Sequence, residues 1–218
     1  MLLVLKFFAL AYSALLPVIN PLGSALMFLT VVGSLPTEQF RYLARKVAVS
    51  MVLFLLVFEV GGAALLNFFG ISLPVVQLAG GLVLAAMGWR ILDQKETANG
   101  QSPSPVGDSG TLNEKIFFPL TFPISAGPAC IVVTLTLSAH ASRHELFSNV
   151  MGHLGMALAI VALGVTIWLC YVYASRITQK IAPATIHGIL RVVAFVLLCI
   201  GVQIASNGVE AIVKAVAK

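Results

Sequence analysis

Six apolar runs, each long enough to cross a lipid bilayer, constrain the fold of this chain more than any other feature. A bilayer helix needs about 20 mostly apolar residues. The runs are Met1 to about Gly33, about Val47 to Phe69, about Ile71 to Leu92, Ile116 to about Ala139, about Leu146 to Tyr173, and about Ile186 to Val209. Only 10% of the 218 residues are charged and 59% are hydrophobic, whereas soluble domains average about 25% charged residues. We therefore predict an all-α membrane protein with six transmembrane helices.

Prolines interrupt the first and fourth runs where a transmembrane helix should continue. One interruption reads Pro-Val-Ile-Asn-Pro-Leu-Gly from Pro17 to Gly23, and the other extends from Pro119 to Cys130. In each, a small or amide residue precedes a proline, as Asn20-Pro21 and as Gly127-Pro128. This order favours the start of a new helix, with a cap followed by proline at the first helical position. We predict that helices 1 and 4 are broken near the midplane of the membrane.

A polar stretch at residues 93–115 separates the runs into two groups of three. It is rich in Gly, Ser and Pro and has no periodicity, which predicts a flexible cytoplasmic linker. Asn20-Pro21 aligns with Gly127-Pro128 at an offset of 107 residues, and 88–91 aligns with 201–204 at an offset of 113. Because three is an odd number of membrane crossings, the second copy of a three-helix repeat lies upside down relative to the first. Residues 1–92 and 116–218 are therefore predicted to be inverted three-helix repeats, an architecture of many secondary transporters.

Lysine and arginine residues in the short loops predict the orientation of the chain. Eight lie on one side, namely Arg41, Arg45, Lys46, Arg90, Lys95, Lys115, Arg176 and Lys180. Four lie on the other, namely Lys6, Arg143, Lys214 and Lys218. The side with eight is predicted to be cytoplasmic, so both termini are expected in the periplasm. The net charge of +5 is then typical of loops facing an anionic leaflet, without nucleic acid as a partner.

The two proline interruptions form the candidate substrate site. Proline cannot donate a backbone hydrogen bond, so Pro21 and Pro123 leave carbonyl groups unpaired one turn earlier. Such backbone survives in a membrane only inside protein or beside a wet cavity. The predicted substrate-binding residues are Asn20, Pro21, Gly23, Ser24, Thr121, Pro123, Ser125, Gly127 and Pro128.

Backbone amides just after each interruption are expected to be free donors at the start of a half-helix. They belong to Leu22, Gly23, Ser24, Ala129, Cys130 and Ile131. Free amides at a helix start suit an anionic group such as an amino-acid carboxylate. In the alternative interpretation, the prolines only kink two helices for packing and Asn20 is only a cap. The serine and threonine hydroxyls would then bond back to their own helices.

Glu59 is the only carboxylate deep within an apolar run, about 12 residues or ~18 Å of helix rise from Val47. An ionisable residue at such depth is by default a functional hypothesis. We predict a site of proton or ion coupling at Glu59. The alternative is that Glu59 reaches the outer interface or pairs with a neighbour for structural reasons.

No motif of a catalytic or metal site stands out in the sequence. The three cysteines lie in apolar runs without paired spacing, and His140, His144, His153 and His187 share no ligand spacing. There is no phosphate-binding loop, nucleophile elbow or pair of catalytic carboxylates. We expect no enzymatic activity, no cofactor and no metal.

Four motifs together resemble the MarC family of bacterial inner-membrane proteins. They are Asn-Pro-Leu-Gly at 20–23, Pro-x-x-x-Pro-x-x-x-Gly-Pro at 119–128, Ala-Gly-Gly at 79–81 and Gly-Val-Gln at 201–203. The resemblance covers essentially the whole chain. It implies a six-helix inner-membrane protein related to the LysE-like exporter superfamily, in which some members transport small neutral amino acids. The family often has glycine where this chain has Ala129, and nothing in these residues indicates a role in antibiotic resistance.

The leading hypothesis is a secondary transporter or exporter of small solutes, by resemblance neutral amino acids. Its partners would be the lipid bilayer and the solute, and the oligomeric state, a homo-oligomer included, is left open. The alternative from another class is a membrane scaffold or sensor that transports nothing. A channel also remains open, and the residues alone do not choose the substrate, the direction or the coupling ion.

Overall fold

The computed structural model describes residues 1–33, 35–93, 116–141, 146–174, 176 and 183–217. Within these residues the chain is almost entirely helical and has no strand. The helices are α1 (Leu2–Ile19), α2 (Pro21–Val32), α3 (Thr37–Phe68), α4 (Leu73–Asp93), α5 (Pro128–Ala141), α6 (Leu146–Val172) and α7 (Pro183–Val216). A wide, irregular helical segment, Phe117–Ser125, precedes α5. The chain beyond Asp93 in the predicted linker lies outside the described residues.

The predicted all-α membrane fold is confirmed, with five to six candidate transmembrane segments where six were predicted. Five of the described helices, α1, α3, α4, α6 and α7, are long and apolar enough to cross a membrane. A sixth segment is formed by Phe117–Ser125 together with α5, which meet at a bend of 59°. The fold is therefore an all-α bundle with five membrane-crossing helices and one bent pair.

Helix α3 begins ten residues earlier than the apolar run that predicted it, at Thr37 instead of about Val47. Its first turns are amphipathic, with Phe40 and Leu43 buried while Arg41 and Arg45 are exposed. Burial of one apolar face is enough to keep a helix folded even when the other face is charged. The polar stretch after the first run is thus helix from Thr37 onward.

Helices α4 and α7 lie against each other backbone to backbone, in antiparallel directions. A Cβ atom added to Gly88 would lie 2.7 Å from the carbonyl oxygen of Ala194, and one on Gly81 would lie 2.4 Å from the amide nitrogen of Ala205. One on Gly208 would lie 2.7 Å from the amide of Leu78. Glycine is required at such contacts because any side chain would separate the helices.

Helices from the two halves of the chain share one core. Helix α3 crosses α6 in the antiparallel direction, with Gly164 against Val52. Helix α1 lies beside α6, where the hydroxyls of Tyr12 and Thr166 are 3.1 Å apart. Antiparallel α4–α7 and α3–α6 pairs are what an inverted repeat requires; the repeat itself stays a prediction.

Candidate functional site

The first break is a capped turn between α1 and α2. Asn20 adopts a left-handed conformation with φ of 47° and ψ of 69°, which asparagine tolerates better than most residues. Its Oδ1 atom accepts a hydrogen bond from the amide of Gly23 at 3.2 Å, and Pro21 is the first residue of α2. The predicted asparagine cap followed by proline is confirmed.

The second break lies between the segment Phe117–Ser125 and α5. Phe118 and Phe122 have extended backbone conformations, and each is joined to the following proline by a cis peptide bond. Helix α5 then begins at Pro128, directly after Gly127, as predicted. The bend at this point reorients the chain inside the bundle.

Three buried hydroxyls cap carbonyl groups near the breaks. Each belongs to a predicted site residue and donates to the carbonyl oxygen five residues earlier. The bonds run from Ser24 to Ile19 at 2.7 Å, from Thr121 to Ile116 at 2.7 Å, and from Ser125 to Leu120 at 2.6 Å. Each hydroxyl thus pairs with a backbone acceptor beside a break, as buried polar groups require.

The two breaks touch. The Ser24 hydroxyl also lies 3.1 Å from the carbonyl oxygen of Ile124, which is 100 residues away in the chain. The hydroxyl oxygens of Ser125 and Tyr171 are 2.7 Å apart. Serine has a single hydroxyl hydrogen, and Leu120 accepts it, so Tyr171 is the donor to Ser125. We call Ser24, Ile124, Ser125 and Tyr171 the break junction.

An aromatic pair covers one side of the break junction. The rings of Phe28 and Tyr171 stack with centroids 4.4 Å apart. Phe28 follows Ser24 by one helical turn on α2, so both residues face α6. Stacking holds the Tyr171 hydroxyl in position beside Ser125.

The prediction of free amides after both breaks is wrong for three of the six. The Gly23 amide is capped by Asn20, the Ser24 amide donates to the Asn20 carbonyl at 2.9 Å, and the Cys130 amide donates to the Gly127 carbonyl at 3.0 Å. The physical reason is that the residue before a helix already offers its carbonyl, and here its side chain as well, to the first turn. The amides of Leu22 and Ala129, second in each helix, are used by none of these bonds.

The structure brings only part of the predicted substrate site together. Ser24 and Ser125 meet in the break junction, whereas Thr121 is buried and bonds within its own segment. Pro123 and Pro128 are exposed on the bundle surface. The remaining predicted residues, Asn20, Pro21, Gly23 and Gly127, are half-buried.

Glu59 lies away from the breaks and has a partner. Its side chain is only 2% exposed, and its Oε1 atom lies 2.5 Å from Nδ1 of His153 on α6. The Ser138 hydroxyl of α5 donates to the backbone carbonyl of Glu59 at 2.8 Å. Ser138 is ten residues from Pro128, about 15 Å along α5. The predicted coupling residue and the break junction are therefore separate places connected by one helix.

Comparison with known proteins decides the family. A sequence model of MarC family integral membrane proteins matches residues 5–213. The chain belongs to the MarC family. It is similar to the inner membrane protein MarC of Salmonella typhimurium, with 28% identity over 214 residues, and to that of Citrobacter koseri, with 30% identity over 215 residues. In both cases 96% of each chain is covered, and no solved structure matches.

The family membership agrees with the helical bundle and makes this MarC-family chain a multi-pass inner-membrane protein. Two polar residues with side-chain partners were missed by sequence reasoning. Tyr171 lies within the fifth run and was not singled out, and His153 was considered only as one of four histidines without shared ligand spacing. The available signal for His153 was its place beside Gly152 and Gly155, both buried at close helix contacts with Ala141 and α1.

Proposed function

We propose that this MarC-family protein is a secondary transporter of small solutes, with neutral amino acids as the substrate class. One observation carries the proposal: the Ser24 hydroxyl of the first break contacts the Ile124 carbonyl of the second. Two broken helices that meet inside a membrane bundle supply backbone polar groups where intact helices supply none. Such groups bind a neutral polar solute without a fixed charge in the membrane.

The chemistry of the break junction suits a zwitterion. The carbonyls of Ile19 and Ile124 are acceptors for an ammonium group once the Ser24 hydroxyl turns away from them. The amides of Leu22 and Ala129 lie at helix starts, where the partial positive charge favours a carboxylate. Opening the junction would exchange these internal contacts for contacts to the solute, which is the requirement for alternating access.

Solute counterflow in proteoliposomes tests the proposal. Vesicles loaded with unlabelled alanine or glycine would receive the labelled solute outside, with no ion gradient imposed. We expect saturable exchange by the natural chain. Exchange should fall at least about tenfold in Gly127→Leu, equivalent to ~1.4 kcal/mol, because a side chain there enters the second break.

Gly61→Leu is the matched control. A Cβ atom on Gly127 would lie 3.2 Å from the Pro123 carbonyl oxygen, whereas one on Gly61 would meet nothing within 4 Å. Exchange should therefore persist in Gly61→Leu. A natural chain that is folded and exchanges neither solute would contradict the neutral amino-acid assignment, and exchange that survives in Gly127→Leu would contradict the role of the break. Flux without saturation would point to a channel.

A further inference from the structure

We infer that the pair formed by the buried Glu59 and the partly exposed His153 is the proton-carrying site of this transporter. The inference rests on the proposed function and adds its coupling ion. The pair joins α3 of the first half to α6 of the second, with Oε1 and Nδ1 2.5 Å apart. An acid buried at membrane depth is costly to keep, and it is retained mainly where it is used.

A hydrogen bond between Oε1 of Glu59 and Nδ1 of His153 requires one proton between the two atoms. With one shared proton, the pair is either a neutral acid beside a neutral imidazole or a carboxylate beside an imidazolium, and the net charge is zero in both forms. A second proton, or the loss of the first, leaves one net charge next to the Glu59 carboxyl group, which is 2% exposed, and an unpaired buried charge is unfavourable. The pair should therefore keep its proton while Glu59 is buried and exchange it only when water reaches Glu59.

Other titratable groups near Glu59 do not replace His153. The segment Phe117–Ser125, which packs against α3, contains no titratable residue. On α5, His140 is exposed and its Nδ1 atom contacts the Thr136 carbonyl of the same helix. The other titratable residues of α5 and α6 are Cys130, Cys170 and Tyr171, toward the break junction. Helix α1, which packs beside α6, carries Lys6, which is exposed, and Tyr12, whose hydroxyl lies 3.1 Å from that of Thr166. Arg143, His144 and Glu145 lie outside the described residues.

Helix α5 connects the pair to the second break. Ser138 on α5 donates to the Glu59 carbonyl, and Gly127 precedes the first residue of the same helix. Thr134 lies one turn from Ser138 on the same face. The Thr134 hydroxyl is fully buried and has no hydrogen-bond partner within the described residues. A polar stripe thus runs from the pair toward the break.

Movement of α5 would then link the solute to the proton. Opening of the second break tilts α5, withdraws Ser138 from the Glu59 carbonyl and admits water along the stripe. One proton enters the pair from the side to which the bundle is open. It is held while α5 packs against α3 and leaves on the other side. One proton crosses in each cycle, and no bond of the solute is changed.

Two assays on the same proteoliposomes test the inference. Counterflow without a gradient reports solute exchange alone, and accumulation under an imposed pH gradient reports coupling. In Glu59→Gln, the rate of counterflow should stay within about twofold of that of the natural chain. Its gradient-driven accumulation should fall at least about tenfold. Glu38→Gln makes the same change at an exposed position in the first turn of α3 and should keep both activities.

His153→Gln is the second variant, in case Glu59→Gln does not fold. Glutamine can still donate to Glu59 but does not titrate, so the same separation of the two assays is expected. Accumulation that persists in both variants overturns the inference and leaves the proposed function standing. If both folded variants lose counterflow as well as accumulation, the inference is also overturned, since the pair would then serve solute binding or the fold. A natural chain without counterflow removes the proposed function and this inference with it.

Discussion

At the scale of single residues, Ser125 connects its own segment to helix α6 through one hydroxyl. It donates to Leu120 of its own segment and accepts from Tyr171 of α6. Both partners are buried, so neither can turn to water instead. A single small side chain therefore holds the second break against α6.

Ser125→Ala should lower the free energy of unfolding by about 1–3 kcal/mol, because it removes two buried hydrogen bonds, one to the Leu120 carbonyl and one to the Tyr171 hydroxyl. Tyr171→Phe leaves the Ser125–Leu120 bond intact and should cost less, about 1 kcal/mol. The measurement is thermal unfolding of the purified protein in detergent. Ser13→Ala, at an exposed serine that also donates to a carbonyl of its own helix, is the control. Equal effects at Ser13 and Ser125 would show that the hydrogen bonds of the Ser125 hydroxyl do not stabilise the fold.

Asn20 has two separable roles, as a cap and as a left-handed residue. Asn20→Ala loses the cap, about 1 kcal/mol, and places a Cβ in the left-handed region, about 1–2 kcal/mol more. Asn20→Gly loses the cap but tolerates the conformation, so it should be clearly more stable than Asn20→Ala in the same unfolding measurement. The reverse order would show that Asn20 does not adopt φ of 47° in the folded protein.

At the scale of helices, the contact of α4 with α7 depends on glycines that bring the two backbones together. A Cβ on Gly201 would lie 2.4 Å from the amide of Ala85, and one on Gly81 would lie 2.6 Å from the carbonyl of Gly201. Neither neighbour can move without moving its helix. The contact between α4 and α7 therefore leaves little room for adjustment.

Gly81→Leu should force α4 and α7 apart and strongly reduce the yield of monodisperse protein. Overpacking of this kind costs about 1–3 kcal/mol or more. Gly188→Leu, on α7 where an added Cβ meets nothing within 4 Å, should have little effect. The check is size-exclusion chromatography of both variants. An equal yield from the two would show that α4 and α7 are not in backbone contact.

Local sequence patterns predicted the start of a helix well where a neighbouring cap residue or proline determines it. The cap at Asn20 and the start of α5 at Pro128 are confirmed, because capping residues and proline act on their own backbone. The start of α3 was placed too late, because its first turns are held by one buried apolar face. In the glycine pair Gly61-Gly62, an added Cβ would meet no neighbour at Gly61, whereas Gly62 faces Leu135. A pair of glycines does not show which one faces the neighbouring helix.

At the scale of the whole molecule, the contacts that define the candidate site are long-range, and the sequence did not reveal them. Ser125 and Tyr171 are 46 residues apart, and Glu59 and His153 are 94 apart. Such pairs depend on which helices are neighbours, and apolar periodicity does not determine this. The number of membrane segments and the two breaks were predictable; the partners of Ser24 and Glu59 were not.

Reversible locking of the two breaks tests the central claim most directly. In a chain with Cys130, Cys170 and Cys199 replaced, Ser24→Cys and Ile124→Cys would place thiols on both sides of the contact between the breaks. Bridging them with mercuric ion should stop alanine and glycine counterflow, and excess reductant should restore it. In each single-cysteine variant, mercuric ion should not change the rate of counterflow. Counterflow that continues at the unlocked rate in fully bridged protein would contradict alternating access through the break junction.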